Sequence, residues 1–423
     1  MESLDPYAIG MIIVFVLGYF MITIEHVTHI NKATCALLMA IICWILQFAN
    51  KGFEHQENIT FLGNHLANIS QVVFFLLGAI GIVEIIDAHK GFKIISDRIQ
   101  IHSKRQMLWV VGLLAFFLSA VLDNLTTTIL MVSLVKKMID EGDERLLIGG
   151  AVVIAANAGG AWTPIGDITT TMLWIGGQIS TFGIMKQLFI PSLVCVLVSL
   201  GILTYSLKGN FAIKEIRADE NDNVPYRGLI FALGIGSLIF VPFFKYLTGL
   251  PPFMGILLGL SVLWLVTDIL HSRYEDRKQL MVPHILTKID MSGILFFLGI
   301  LLCINSLESA GILEQLAHWL DKNIPNVNIV AAFIGIASAI VDNVPLVAAC
   351  MGMYDMTQYP QDSTFWVLVA YAAGTGGSML IIGSAAGVAF MGLEKVDFFW
   401  FLKRISFAAM VGYFAGMASY LMI

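Results

Sequence analysis

Long apolar runs dominate the chain and are separated by short polar segments. Many of these runs approach or exceed the roughly 18 residues that are typical of a membrane-spanning helix. The uninterrupted runs predict the spans 7–24, 33–48, 71–89, 182–207, 228–247, 251–270, 291–307 and 398–423. The more polar stretch 49–70, between the second and third spans, is predicted to be a loop.

Two further apolar runs contain an acid and an amide near their centres. Residues 106–138 are too long for one span and too short for two, and lysines or arginines flank both ends. A segment that leaves and returns on the same side is a re-entrant helical hairpin, here with Asp123 and Asn124 at its tip. Residues 329–353 repeat the pattern with Asp342 and Asn343.

Glycine pairs interrupt two other runs, 146–177 and 364–390. The first contains Gly159-Gly160 followed by Pro164, and the second contains Gly376-Gly377. Glycine and proline weaken or break the helical hydrogen-bond ladder. Each run therefore predicts a broken helix, whose freed backbone groups become available as ligands.

The order of elements repeats once along the chain. Residues 1–210 contain a hairpin and, with the broken helix counted as one span, five spans. Residues 211–227 form a polar linker, and residues 228–423 contain the same set again. Because five is odd, the second half lies upside down relative to the first. The predicted fold class is an all-α polytopic membrane protein built as an inverted repeat, an architecture typical of secondary transporters with a site at the midplane.

Composition and loop charge support this picture and set its orientation. The chain is 58% hydrophobic and 13% charged, with mean hydropathy +0.83, whereas soluble domains contain about 25% charged residues. The short loops 90–105 and 271–290 are basic, which predicts that they are cytoplasmic. The linker is then cytoplasmic and the N-terminus lies outside. The expected location is the inner, or plasma, membrane, with the lipid bilayer as partner and no nucleic acid.

Oxygen-bearing side chains are concentrated in the four interrupted runs. An ionisable group within a membrane costs at least about 2.5–3.5 kcal/mol on insertion scales, so its presence there suggests function. The candidate ion-binding or proton-coupling residues are Asp123, Asn124, Thr126, Asn157, Asp167, Thr169, Thr170, Ser338, Asp342, Asn343, Thr375 and Ser378. The first and second runs also offer Thr127 and Thr163, and the last offers Ser384. Glu84, within the third span, is a possible proton relay.

These residues suit a hard cation such as Na⁺, which prefers oxygen ligands. Lysine and arginine are absent from the interiors of all four runs. The expected Na⁺ ligands are Asp123, Asn124, Asn157, Asp342 and Asn343. Helix capping is the alternative role for the three aspartates, and both roles can coexist.

One carboxylate in such a site can hold either H⁺ or Na⁺. Loss of water disfavours the charged carboxylate, while bound Na⁺ favours it. Mutually exclusive binding at a site that opens alternately to two sides produces antiport. The glycine-rich stretches lack the lysine of a phosphate-binding loop, so an ion gradient rather than ATP is expected to drive transport. No enzymatic activity and no cofactor are expected.

At these motifs the chain resembles the NhaD-type Na⁺/H⁺ antiporters, within a superfamily that also holds arsenite and dicarboxylate carriers. The resemblance rests on 119–128, 157–171, 338–345 and 374–387. It implies exchange of Na⁺ or Li⁺ for H⁺ by alternating access, and a homodimer with a scaffold and a mobile transport domain. The hairpin tips of the dicarboxylate carriers read Ser-Asn-Thr, whereas Asp replaces the serine here in both copies.

The sequence alone leaves the transported substrate open and shows a difference between the two halves. A Na⁺-coupled organic-anion symporter or an arsenite carrier on the same fold is the alternative function. The two halves also differ, because Asn157 and Asp167 have no counterparts of the same kind near Gly376. We therefore expect the first half to supply more of the ion ligands.

Overall fold

The structure is a computed structural model that describes residues 5–23, 25–50, 52, 54–96, 101, 103–210, 224–324 and 326–423. Within these residues the chain is helical, apart from turns and one isolated bridge between Ser103 and Asn210. The last residue of the predicted span 7–24 lies outside the described residues. So do residues 211–223, which make up most of the predicted linker.

The first half of the chain forms ten helices within the described residues. They are α1 (Pro6–Thr23), α2 (Glu25–Thr28), α3 (Lys32–Ala49), α4 (His55–Ala88), α5 (Lys93–Ser96), α6 (Lys104–Leu122), α7 (Asn124–Met138), α8 (Asp143–Ala161), α9 (Ile168–Ile175) and α10 (Thr181–Thr204). The expected interruptions are present: α6 and α7 meet at Asp123, and 162–167 separates α8 from α9.

The second half forms eleven α-helices and one 3-10 helix, Glu275–Leu280. The α-helices are α11 (Arg227–Thr248), α12 (Pro252–His271), α13 (Val282–Leu286), α14 (Met291–Ser309), α15 (Ile312–Asn323), α16 (Val327–Ser338), α17 (Asn343–Met353), α18 (Thr364–Gly376), α19 (Ala385–Glu394), α20 (Phe398–Arg404) and α21 (Ser406–Met422). Residues 339–342 separate α16 from α17, and 377–384 separate α18 from α19.

Eight of the described helices are long and apolar enough to cross a membrane. They are α1, α3, α4, α6, α10, α11, α12 and α14, and the pair α20–α21, bent by 53°, would make a ninth. The chain is therefore a multi-pass membrane protein.

The two broken helices lie at the centre of the fold. Every residue of α18 from Phe365 to Gly376 is buried, as is every residue of α8 from Leu147 to Ala161. Helices α6, α7, α10 and α19 pack around α8, whereas α16, α17, α9 and α21 pack around α18. Helices α1, α3, α4, α11, α12 and α14 contact one another and form a second group, which touches the helices around α8 and α18 through the pairs α4–α9, α6–α11 and α14–α17.

Glycines let the central helices approach their neighbours closely, in the same way in both halves. A Cβ on Gly159 would lie 2.2 Å from the backbone oxygen of Phe116, and one on Gly376 would lie 2.2 Å from that of Gly335. These distances are far below normal contact, so only glycine fits there.

A second pair of matched contacts ties each interrupted helix pair to a central helix. The Ser119 hydroxyl donates to the carbonyl of Ala156 at 2.6 Å, and the Ser338 hydroxyl donates to that of Ala373 at 2.8 Å. Each serine belongs to one copy of the Asp-Asn motif. The two copies therefore occupy alike environments, as well as resembling each other in sequence.

The prediction of a loop at 49–70 was wrong, because α4 begins at His55 and runs for 34 residues. The polar side chains of this helix find partners on neighbouring helices. Asn58 accepts a hydrogen bond from Gln47 on α3, and His65 lies 3.1 Å from the hydroxyl of Ser309 on α14. Polar composition alone did not distinguish a loop from a helix with a polar face.

The predicted last span, 398–423, is broken rather than continuous. Helix α20 ends at Arg404, and α21 starts at Ser406 after a bend of 53°. The buried side chain of Ile405 packs at the bend against Gly150 of α8, which fixes the change of direction. Helix α15 was not predicted from the sequence, although its charged residues recur at helical spacing.

The close approach of α8 to α6 predicts a difference between two glycine substitutions. Gly159→Ala should lower the melting temperature of the purified protein, because overpacking against backbone costs about 1–3 kcal/mol. Gly201→Ala, in the last turn of α10 with nothing within 4 Å of the added carbon, should leave the melting temperature unchanged or raise it slightly. Equal melting temperatures for the two variants would contradict this packing.

Candidate functional site

Four helices begin at the interruptions, and each carries a side-chain cap at its first turn. Asp123 accepts from the Thr126 N–H at 2.8 Å, and Asp167 from the Thr169 N–H at 2.9 Å. In the second half, Asp342 and Ser384 cap α17 and α19 at 3.2 Å. The predicted capping roles of the three aspartates are therefore confirmed.

Hydrogen bonds between amides and oxygens link these caps into one network. The amide nitrogen of Asn124 donates to Asn157 Oδ1 at 2.9 Å and to Asp167 Oδ2 at 2.7 Å. The amide nitrogen of Asn343 lies 3.5 Å from the same Asp167 oxygen. Asp167 thus faces the motif tips of both halves.

Asn157 connects the two broken helices. Its amide nitrogen donates to the hydroxyls of Ser378 and Ser384, each at 2.9 Å, while its oxygen accepts from Asn124. All four of these side chains are buried. Because every polar group of Asn157 has a partner, its amide is held in one orientation in this conformation.

Asp123 occupies a strained backbone position between α6 and α7. Its φ of +89° and ψ of 162° lie in a region that L residues rarely adopt, and such a conformation costs about 1–3 kcal/mol. The corresponding φ of Asp342 is −47°. Strain of this kind is concentrated at functional sites, so the two aspartates are not equivalent.

The electrostatic balance of the site is negative. Asp123 is close enough to Asp167 for their charges to repel, and Asp167 stands in the same relation to Asp342. A helix N-terminus contributes about +0.5 charge, so four of them offset about two of the three carboxylates. Among the described residues, no lysine or arginine contacts the network. A charge of about −1 remains for a cation or a proton.

Several predicted site residues lie nearby but bond to backbone or to a neighbouring cap. The Thr126 hydroxyl donates to Asp123, and the Thr170 hydroxyl donates to the backbone oxygen of Asp167. The Ser338 hydroxyl is occupied by α18, and that of Thr375 donates to Tyr371 within its own helix. Of the predicted hydroxyls, those of Thr169, Ser378 and Ser384 thus join the network most directly.

Glu84 lies apart from the network. It is half-buried on α4, and its electrostatic neighbours are Asp87 and Lys288 near the end of that helix. The buried hydroxyls of Thr127 and Thr128 on α7 have no hydrogen-bond partner. Within the described residues, no hydrogen bond therefore connects Glu84 to Asp123, Asp167 or Asp342.

Asp167 has a partial counterpart that the sequence analysis did not recognise. Ser384 occupies the same place in the second broken region, since both residues cap the second helical piece with similar extended dihedrals. Gly374 stands where the first half has Asn157, two positions before the glycine that packs closely. At these two positions the second half therefore has a hydroxyl in place of the acid of the first half, and a glycine without a side chain in place of its amide.

No tight cluster of acids, cysteines or histidines occurs in the described part of the chain. No three such side chains lie close enough together to hold a metal ion. At the network, amide and hydroxyl groups alternate with the carboxylates. The arrangement suits a weakly held monovalent cation that dehydrates easily more than a tightly bound divalent metal.

Comparison with known proteins agrees with this chemistry. The family described as citrate transporter (CitMHS) matches residues 8–374. The chain is 54% identical to sodium/proton antiporter 1 of Arabidopsis thaliana, over 98% of this chain and 72% of the relative. It is 51% identical to sodium/proton antiporter 2 of the same plant, over 98% and 99%.

Bacterial relatives are more distant but cover nearly the same length. The Na⁺/H⁺ antiporter NhaD of Alkalimonas amylolytica is 30% identical over 97% of this chain and 89% of its own length. The match thus includes all four interrupted regions. The chain belongs to the NhaD-type sodium/proton antiporter family, within the broader citrate transporter family.

Proposed function

We propose that the protein exchanges Na⁺, or Li⁺, for H⁺ across a membrane by alternating access. The supporting observation is that the buried Asp167 lies near the half-buried Asp123 and Asp342, beside four helix N-termini and, among the described residues, no basic side chain. Related proteins named sodium/proton antiporters, at 51–54% identity, agree with this cargo. The broader family's description as citrate transporters points to the alternative.

The proposed coupling is competition for carboxylates. With the site protonated, its net charge is close to zero and no cation is held. With one proton released, a negative charge becomes available, and Na⁺ can bind to carboxylate and amide oxygens. We propose Asp123, Asn124, Asn157, Asp167, Asp342 and Asn343 as the principal ligands. Thr169, Ser378 and Ser384 would orient them.

Charge argues against citrate as cargo. A multiply charged anion usually requires arginine or lysine, or helix N-termini whose positive ends are not already neutralised. Here a carboxylate or hydroxyl already caps each of the four N-termini. A Na⁺-coupled organic-anion symporter or an arsenite carrier remains the second candidate; the family description as citrate transporter supports only the symporter.

The proposed architecture follows from the repetition of sequence and contacts. We propose two inverted repeats, residues 1–210 and 228–423, in which α6–α7 and α16–α17 are re-entrant hairpins from opposite faces. The basic loops would be cytoplasmic, and the N-terminus would lie outside the inner or plasma membrane. The central helices would form the moving domain, and α1, α3, α4, α11, α12 and α14 the scaffold of a homodimer.

Transport by purified protein in proteoliposomes tests the cargo directly. With a pH-sensitive dye, added Na⁺ or Li⁺ should move protons, whereas K⁺, citrate and arsenite should not. Protein-free liposomes serve as the control for leakage. Uptake of labelled citrate driven by Na⁺, without proton exchange, would support the symporter and overturn the antiporter.

Asp123→Asn tests the proposed ligand set. It removes the charge but keeps an oxygen that can cap α7, so folding should be retained. Na⁺ binding should weaken about 10- to 100-fold, since a charged hydrogen-bonding partner contributes about 1.5–3 kcal/mol. Isothermal titration or the Na⁺ dependence of exchange measures this.

The matched control is Asp355→Asn. Asp355 also caps backbone and hydroxyl groups of the following residues, but it lies in an exposed loop away from the site. It should behave as wild type. Unimpaired exchange in Asp123→Asn would remove Asp123 from the mechanism.

Competition between the two cargoes also predicts a pH dependence. If a proton and Na⁺ exclude each other, the half-saturating Na⁺ concentration should rise as pH falls, by up to about tenfold per pH unit. The maximal rate at saturating Na⁺ should change less. A half-saturating concentration that does not change with pH would indicate separate sites for the two ions.

A further inference from the structure

We propose that Glu308 exchanges protons with solvent for the ion site, at the far end of the helix that Asp342 caps. This inference rests on the proposed Na⁺/H⁺ antiport. Glu308 is the penultimate residue of α14, which belongs to the group formed by α1, α3, α4, α11, α12 and α14. Helix α14 packs against α17, one of the contacts between that group and the central helices.

The Glu308 carboxylate lies directly against α17. A Cβ on Gly352 would be 3.0 Å from Glu308 Oε2 and 2.7 Å from Leu313 Cδ1. Glycine at position 352 therefore leaves the room that the carboxylate occupies. Asp342 caps the start of the same helix, and nine residues of α-helix place it about 14 Å from Gly352.

The Glu308 carboxylate is half-buried, and no described residue donates a hydrogen bond to it or forms an ion pair with it. The nearby titratable groups belong to other elements. His65 of α4 contacts the neighbouring Ser309, and Glu314 and His318 of α15 are exposed and contact each other. An acid within a membrane segment that lacks a cation is stable when protonated and can release its proton when solvent enters.

The equivalent position in the first half supports a role at the membrane face. Asp87 follows Gly78 by nine residues, as Glu308 follows Gly299. Asp87 has Lys137, at the end of α7, and Lys288 as electrostatic neighbours. Each half thus places an acid nine residues after a matching glycine, but among the described residues only the acid of the first half has cations as electrostatic neighbours.

The proton transfer balances without any other reactant. The Glu308 carboxyl releases its proton towards the ion site, where a carboxylate takes it up. The Glu308 carboxylate then takes a proton from bulk solvent. In the proposed topology α14 and α17 end at the outer face, the side from which protons enter.

Four variants in proteoliposomes test this inference. Glu308→Gln should lower the maximal exchange rate roughly tenfold or more and shift its pH profile, without changing the half-saturating Na⁺ concentration. Glu308→Asp should restore much of the rate, since it restores the carboxyl. Gly352→Ala should shift the pH profile as well, because it displaces the carboxylate. Glu314→Gln, on the exposed face of α15, should match wild type.

The outcomes separate this inference from the proposed function. Wild-type exchange with an unchanged rate and pH profile in Glu308→Gln would overturn the role of Glu308 alone. Equal losses in Glu308→Gln and Glu308→Asp, with Na⁺ half-saturation altered in both, would also overturn it and indicate a structural role. Absence of Na⁺-dependent proton movement in the wild type would overturn both.

Discussion

The cost of holding three carboxylates inside a membrane protein, one of them buried and two half-buried, is the constraint on which the site depends. Four helix N-termini offset part of that cost, and they can do so only if four helices begin inside the protein. Each of them begins at an interruption, 123, 162–167, 339–342 or 377–384. The broken helices are thus the means by which the fold brings positive helix ends to these acids, and in the proposed site they leave a small negative charge for a cation.

Close packing determines where those interruptions meet. Gly159 and Gly376 allow α8 and α18 to touch the backbones of α6 and α16, and serines of the Asp-Asn motifs bond to the same central helices. With these contacts, one asparagine can reach both broken regions. Asn157 bonds to Asn124 on one side and to Ser378 and Ser384 on the other. A movement that separated the two broken regions would have to break these bonds.

The sequence predicted the parts of the fold that depend on local pattern. Apolar runs predicted most of the spans. Acids within apolar runs and glycine pairs predicted all four interruptions. Local pattern failed where a helix is polar, as in residues 55–70 and in α15, because partners such as Gln47 for Asn58 are distant in sequence. It also could not show that Ser384 mirrors Asp167, since the two residue types differ and only their capping geometry is alike.

If the proposed repeat and ion site are correct, the asymmetry of the two halves explains how a duplicated fold can bind a single ion. Two identical halves would place two equivalent sets of acids at the centre and leave more negative charge than one monovalent cation can neutralise. Replacing the second copy of Asp167 by Ser384 keeps the helix cap but removes one charge, and Gly374 in place of a second Asn157 allows α18 to pack closely against Ala161 of α8. The difference in strain follows the same division: Asp123, beside the acid-bearing region, has the costly backbone, whereas Asp342 does not. In the proposed site the second half therefore supplies two of the ligands, Asp342 and Asn343, and the first half supplies the other four.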